Sequence, residues 1–217
     1  MNSVKINSRG RKPKRTAYHH GDLRQQLLTV AEQIILERGV DGFTLREAAR
    51  RAGVSPAAPA HHFKDAKGLL TEVALLGFRE FGDALEAADQ AGGADPAQRL
   101  RSQAVAYVNF ALKQPARFQL MFRDDKHDDS NAEFKSVAAR AYRILESAIR
   151  AATNVPPERE LTPESYGLLL AVWSMVHGFS YLALGRGFPV PGDGPPLTNE
   201  KMLDSLLPLM LGHLPTR

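Results

Sequence analysis

Cysteine is absent from the 217 residues, and tryptophan occurs only once. The absence of cysteine excludes disulfides, thiolate metal sites and cysteine nucleophiles, so nothing points to an oxidising compartment. No window approaches about eighteen uninterrupted apolar residues, and the basic, polar N-terminus has no apolar stretch behind it. The sequence therefore predicts a cytoplasmic protein without a signal peptide or membrane span.

Charge is unevenly distributed along the chain. Residues 1–70 carry 13 Lys and Arg against 6 Asp and Glu, a formal charge of +7, whereas the remaining residues carry 15 against 18, a charge of −3. Six cations from Lys5 to Arg15 precede any acidic residue, which is typical of a disordered arm attracted to a polyanion. A solvated tail has the same composition, so both interpretations stay open.

Apolar residues recur at spacings of three and four throughout the chain, and no alternating run is long enough for a strand. This periodicity predicts an all-α fold of about nine helices. We expect a basic arm over residues 1–17, a three-helix domain over 18–64 and a helical bundle over 65–217. A long fourth helix, from Asp65 to about Ala88, joins the two helical parts.

The stretch TLREAARRAGVSPAAPAHHF contains two short helical patterns around one glycine. Thr44 and Glu47 have the spacing of a capping box, and Gly53 supplies the positive φ of a tight turn. Ser55 is expected to cap the next helix, with Pro56 at its first position. This pattern predicts a helix-turn-helix, whose second helix can enter the major groove of DNA. Such helix pairs also occur in proteins that never bind DNA, so a small-molecule-binding or hydrolytic protein with a structural helix-turn-helix remains the alternative.

The segment from about Tyr18 to Val73 resembles the N-terminal DNA-binding domain of the tetracycline-repressor (TetR/AcrR) family. The segment LLLAVWSMVHGFSYLAL, with Trp173, His177 and Gly178, is similar to the C-terminal domain of a subgroup with a Trp-x-x-x-His-Gly signature. The resemblance implies a dimeric transcription regulator, usually a repressor, whose third helix reads a palindromic operator in double-stranded DNA. It requires neither catalysis nor a cofactor.

The resemblance also implies which residues contact DNA. Two positions depart from the family pattern: Ala60 replaces a frequent tyrosine, and Ala66 replaces a frequent lysine that contacts the DNA backbone. The residues carried over are Thr44, Arg46, Ser55, Pro56, Ala57, Ala58, His61, His62, Lys64 and Lys67, and charge adds Arg11 and Arg15 of the arm. Because the recognition helix is rich in alanine, we expect sparse hydrogen bonding to base edges.

A set of aromatic and apolar residues in the C-terminal part is by default hydrophobic core. The resemblance makes it a candidate pocket for a small-molecule effector. The candidate residues are Tyr107, Phe110, Phe118, Met121, Phe122, Tyr142, Trp173 and His177. No metal site is expected at the two adjacent histidine pairs, because neighbouring side chains on a helix point about 100° apart and no ligand set is complete.

The last two predicted helices, PESYGLLLAVWSMVHGFSYLALG and EKMLDSLLPLMLGHL, are apolar on most of their surface. Burial against a second copy of the chain is therefore expected, and it predicts a homodimer with a four-helix interface. In the fourth helix, Gly68, Gly77 and Gly82 indicate either a bend or close packing of neighbours, and both interpretations stay open. The leading hypothesis is a repressor released from DNA by a small apolar or amphipathic molecule.

Overall fold

The computed structural model describes residues 20–128, 130–185, 201–202, 204–206 and 208. Over residues 20–185 the chain forms eight α-helices and one 3₁₀ helix, Val40–Gly42, apart from the undescribed residue 129, and the described residues from 201 to 208 are helical as well. No strand occurs among the described residues. The α-helices are α1 (His20–Arg38), α2 (Leu45–Arg51), α3 (Ala58–Phe63), α4 (Ala66–Ala91), α5 (Pro96–Lys113), α6 (Pro115–Met121), α7 (Ala132–Thr153) and α8 (Pro163–Leu184). The all-α prediction is confirmed. The predicted arm, with Arg11 and Arg15, lies outside the described residues.

Helices α2 and α3 pack against α1, whose buried apolar face includes Leu27 and Ile34. Helix α1 ends before Gly39, whose φ of 73° is favourable for glycine. Helix α2 begins after Thr44, whose hydroxyl accepts a hydrogen bond from the Glu47 N–H at 3.2 Å. The helix start predicted at Thr44 is therefore confirmed.

The predicted start of α3 is wrong. Ser55 does not cap the helix and Pro56 is not its first residue, because the N-cap is Ala57 and its side chain makes no capping hydrogen bond. A helix capped by Ser55 needs the N–H of Pro59 to bond the Ser55 carbonyl, and proline has no N–H. The Ala58 N–H donates to the Ser55 carbonyl instead, at 3.0 Å, and this hydrogen bond closes a turn before the helix.

Helix α4 connects the two parts of the molecule. It continues to Ala91, three residues beyond the predicted end, and stops at two glycines. Its first turn is capped by Asp65, whose carboxylate accepts from the Gly68 N–H at 2.8 Å. Helix α4 packs against α1 and α3 near its start and against α5, α6 and α7 further along. One hydrophobic core therefore runs continuously from α1 to α8.

Of the three glycines in α4, Gly77 faces α6 at short range. A Cβ atom at Gly77 would lie 2.7 Å from Sδ of Met121 and 3.1 Å from Cβ of Arg117. The absence of a side chain allows α4 and α6 to approach this closely. This geometry supports close packing rather than a bend at Gly77.

Substituting Gly77 with alanine is expected to lower the free energy of unfolding by about 1–3 kcal/mol, because Met121 and the α6 backbone have to move. Chemical denaturation measures this change. The matched control is Gly82→Ala in the same helix, where the nearest atom is the flexible tip of Arg140 at 3.3 Å. That variant is expected to be neutral or up to about 1 kcal/mol more stable. Equal stability of Gly77→Ala and the control would contradict the packing assignment.

Candidate functional site

Helices α2 and α3 form a helix-turn-helix. Ala48 and Ala49 of α2 are fully buried, so the helices approach closely at these small side chains. Gly53 has a φ of 69°, and the following N–H, that of Val54, donates to the Ala49 carbonyl at 3.0 Å. Phe63 at the end of α3 is buried, and the Arg24 guanidinium lies 5.5 Å from its ring centroid. These contacts hold a helix of six residues, which is too short to be stable alone.

Most of the residues implied in DNA binding lie on the surface of this motif. The exposed ones are Thr44, Arg46, Ser55, Pro56, Ala57, His61, Lys64 and Lys67, and the half-buried ones are Ala58 and His62. Six of the ten line one of two grooves. Thr44, Arg46 and Pro56 line one groove beside the start of α2. The other groove, lined by His61, His62 and Lys64, lies at the end of α3.

Some cations of the motif form ion pairs within the protein, and others do not. Arg50 and Arg51 both bond Glu47, and these contacts lower the pKa of Glu47 to about 2. By contrast, Arg46, Lys64 and Lys67 form no ion pair with any residue in the described ranges. Exposed cations of this kind are suited to phosphate contacts, which position a protein on DNA.

A cavity of about 230 Å³ lies inside the C-terminal bundle. Helices α4, α5, α7 and α8 supply most of its wall, and α6 supplies Met121. Phe78 and Phe81 of α4 line it beside Trp173 of α8. Its volume exceeds the ~150 Å³ that accommodates a benzene molecule in a protein interior. The cavity is therefore large enough for a small apolar ligand.

The eight candidate pocket residues do not all face the cavity. The residues that line it are Tyr107, Met121, Phe122, Tyr142 and Trp173. Phe110, Phe118 and His177 do not line it, because their rings pack behind the wall. Phe110 lies against Phe81 with ring centroids 5.1 Å apart, and Phe118 lies 5.5 Å from His177. The sequence missed Gln103, a buried polar residue of α5 that lines the cavity.

The Trp-x-x-x-His spacing brings two side chains of α8 to the hydroxyl of Tyr107. The Tyr107 oxygen lies 2.7 Å from Nδ1 of His177. Burial raises the pKa of Tyr107, and a hydrogen bond from the Trp173 indole opposes this shift. Burial lowers the pKa of His177, which favours the neutral imidazole. The Tyr107 hydroxyl and the neutral His177 ring share this hydrogen bond.

Helix α6 and the residues after it connect the cavity to the N-terminal helices. Arg117 of α6 pairs with Glu32 of α1 at 2.7 Å and with Glu80 of α4 at 2.6 Å. Arg123 pairs with Asp41 of the 3₁₀ helix at 3.0 Å. Hydrogen bonds from Arg123 and then from Lys126 lower the pKa of Asp41 to about 2.

The acidic loop between α6 and α7 also contacts the start of α4. The Asp128 N–H donates to the Thr71 hydroxyl at 2.8 Å, and that hydroxyl donates to the Lys67 carbonyl at 2.7 Å. The charges of Lys67 and Lys64 contribute to the lowered pKa of Asp128, after its bonds to Ser130. The loop that adjoins the cavity thus lies beside the two lysines that flank the recognition helix.

Helix α8 exposes an apolar surface in the single chain. Its large exposed side chains are Tyr166, Leu170, Tyr181 and Leu182. Within the described ranges it is the one helix whose length and composition are sufficient to cross a membrane, a test that core helices of soluble proteins also pass. In the same ranges, no three His, Asp or Glu side chains lie together as a metal site would require.

Comparisons with known proteins identify the two parts of the chain. The family described as "Bacterial regulatory proteins, tetR family" matches residues 27–73, and "Tetracyclin repressor-like, C-terminal domain" matches residues 100–206. Over 88 residues the chain is 38% identical to the HTH-type transcriptional regulator BetI of Serratia proteamaculans. The aligned segment covers 40% of this chain and 43% of BetI. The match therefore spans less than half the length of this curated relative.

Two solved structures have the same fold over most of their length. A protein of unknown function from Rhodococcus sp. RHA1 is 30% identical, with 92% of this chain and 98% of that chain covered and a TM-score of 0.72. AibR, solved with isovaleryl coenzyme A and operator DNA, is 19% identical, with 86% and 97% covered and a TM-score of 0.64. With its helix-turn-helix and matching C-terminal domain, the chain belongs to the TetR family of bacterial transcriptional regulators.

Proposed function

We propose that the chain is a cytoplasmic homodimeric repressor that binds a palindromic operator and is released from it by a small-molecule effector. The observation that carries this proposal is the sharing of α4 between the cavity and the helix-turn-helix. Phe78, Phe81 and Leu85 of α4 line the cavity, and its first turn follows α3 after two residues. A ligand that moves α4 therefore moves the recognition helix.

The length of α4 makes this coupling effective. Its 26 residues extend about 39 Å, so a small tilt at the cavity displaces the other end. In a symmetric dimer, the two recognition helices must be about 34–36 Å apart to enter successive major grooves. An effector that stabilises a conformer with another separation weakens operator binding.

Helix α6 provides a second connection. Met121 lines the cavity, and Arg117, one turn earlier, holds Glu32 of α1. Because Met121 also lies against Gly77 of α4, a ligand that displaces this thioether acts on both helices. AibR, which has the same fold, has been solved in complex with isovaleryl coenzyme A and operator DNA, so this fold can serve both kinds of partner.

Selection of genomic fragments by the full chain tests the proposal. Sequencing of the bound fragments is expected to reveal a palindrome with two half-sites one helical turn apart. Enrichment of unrelated fragments without a common palindrome would contradict operator recognition and would favour the alternative of a structural helix-turn-helix.

The N-terminal arm is proposed to add electrostatic affinity for DNA. Deleting residues 1–15 removes six cations, so we expect weaker DNA binding and a salt slope smaller by roughly 0.9 for each phosphate that the arm neutralises. Fluorescence anisotropy at several salt concentrations measures the slope. Deletion of residues 1–4, which removes no lysine or arginine, is the matched control. An unchanged slope in the longer deletion would indicate a solvated tail.

A further inference from the structure

The polar groups around the cavity are unevenly distributed between donors and acceptors. The lining side chains with polar atoms that bear on ligand choice are Gln103, Tyr107, Asp124, Tyr142 and Trp173. Among the described residues that line the cavity there is no lysine, arginine or histidine. The wall therefore offers no cationic group to a ligand.

Gln103 presents an acceptor. Its side chain is 4% exposed, and its amide nitrogen lies 2.6 Å from Oδ1 of Asp89 and 3.5 Å from the Ile144 carbonyl. Asp89 is held in turn by two hydrogen bonds from Arg99, each 2.8 Å long. Because carboxylate and carbonyl oxygens only accept, this environment fixes the orientation of the amide. The Gln103 carbonyl oxygen is the polar atom that remains for a ligand.

The Tyr107 hydroxyl is engaged in the 2.7 Å hydrogen bond with His177 described above, and Trp173 acts on the same hydroxyl. Tyr142 retains a hydroxyl, and burial, followed by the nearby charge of Glu146, raises its pKa, so this hydroxyl keeps its proton. Asp124, whose side chain is 93% exposed, adds a carboxylate to the lining. Its neighbour Arg123 is neutralised by carboxylates on both sides.

We propose, on the basis of the repressor function proposed above, that the effector is a neutral or cationic apolar molecule that carries a hydrogen-bond donor. Its apolar body occupies the aromatic wall, its donor bonds the Gln103 carbonyl oxygen or the Asp124 carboxylate, and ionised carboxylates are disfavoured. The Asp124 carboxylate repels a ligand carboxylate, which also has no hydrogen to donate to the Gln103 carbonyl oxygen.

A matched series of ten-carbon probes tests this specificity: decan-1-ol, decylamine and decanoate at pH 7, each below its micellar concentration. Trp173 is the one tryptophan of the chain and it lines the cavity, so its fluorescence reports occupancy directly. We expect the alcohol and the amine to bind, and decanoate to bind about tenfold more weakly than the amine.

Two substitutions separate the roles of the acceptors. Asp124→Asn is expected to reduce the preference for decylamine over decanoate while leaving decan-1-ol binding unchanged. Gln103→Met is expected to weaken decan-1-ol binding by about threefold to tenfold, because it removes the acceptor. The matched control for charge is Glu160→Gln, an exposed carboxylate in the loop before α8, outside the cavity lining.

The order of probe affinities decides whether the cavity has this preference. Tighter binding of decanoate than of decylamine, or no response of Trp173 to any of the three probes, would overturn the proposal. An unchanged preference of Asp124→Asn for decylamine over decanoate would show that Asp124 does not contribute to the choice of ligand. Operator affinity measured on the same protein without a probe keeps this result separate from operator recognition, which fails only if specific DNA binding is absent.

Discussion

Replacing Leu182 with glutamate is expected to convert the proposed dimer into monomers and to abolish operator binding. Leu182 is 62% exposed in the single chain, so the substitution does not disturb the core of the protomer. In a dimer that buries α8, the new carboxylate would lose its hydration without a partner, at a cost of several kcal/mol. A monomer contacts one half-site and retains too few DNA contacts for specific binding.

Sedimentation velocity and DNA anisotropy measure the two effects. The matched control is Leu36→Glu, since Leu36 of α1 is 56% exposed but lies outside α8. That variant is expected to remain a dimer. Leu206, on the last predicted helix, is less informative because it packs against the protomer's own core. A wild-type monomer, or a dimer unaffected by Leu182→Glu, would contradict an interface formed by α8.

Replacing Arg117 with methionine is expected to destabilise the fold and to weaken the response to effector. The Arg117 side chain is 12% exposed and joins carboxylates of α1 and α4. Methionine keeps much of the aliphatic packing but leaves Glu32 without its arginine, at a cost of about 1–3 kcal/mol in unfolding free energy. Because this contact connects α6 to the N-terminal helices, its removal is also expected to reduce the ligand-dependent change in operator affinity.

The matched control is Arg79→Met, which breaks an exposed pair with Glu133 on the outer side of α4. Exposed pairs contribute about 0–1 kcal/mol, so this variant is expected to retain nearly full stability and response. Denaturation gives the stability of both proteins, and the shift in operator affinity with decylamine gives the response. A full response in Arg117→Met would show that α4 transmits the signal without α6.

Local patterns in the sequence predict the helix-turn-helix well, because its determinants are adjacent in the chain. Thr44 begins α2 and Gly53 makes the turn by short-range hydrogen bonds. The predicted start of α3 is wrong for an equally local reason, since Pro59 cannot bond the Ser55 carbonyl. Pro59 is visible in the sequence, and its effect is found by counting the N–H donors of the first turn.

The site in the C-terminal bundle depends on pairs that are distant in sequence. Tyr107 and His177 are separated by 70 residues, and Glu32 and Arg117 by 85. No spacing rule connects such residues, so the sequence predicted an aromatic pocket without distinguishing its lining from the core behind it. The role of α6 was also missed, because its contacts with α1 and α4 follow from packing alone.

Titration of a fluorescent duplex at physiological salt tests the central claim most directly. We predict that the dimer binds the palindrome selected from genomic DNA about a thousandfold or more tightly than a random duplex. We also predict that a ligand bound beside Trp173 reduces the affinity for the palindrome about fivefold or more, without a comparable effect on the random duplex. Equal affinities for the two duplexes, or an operator affinity unchanged by an occupied cavity, would contradict a ligand-released repressor.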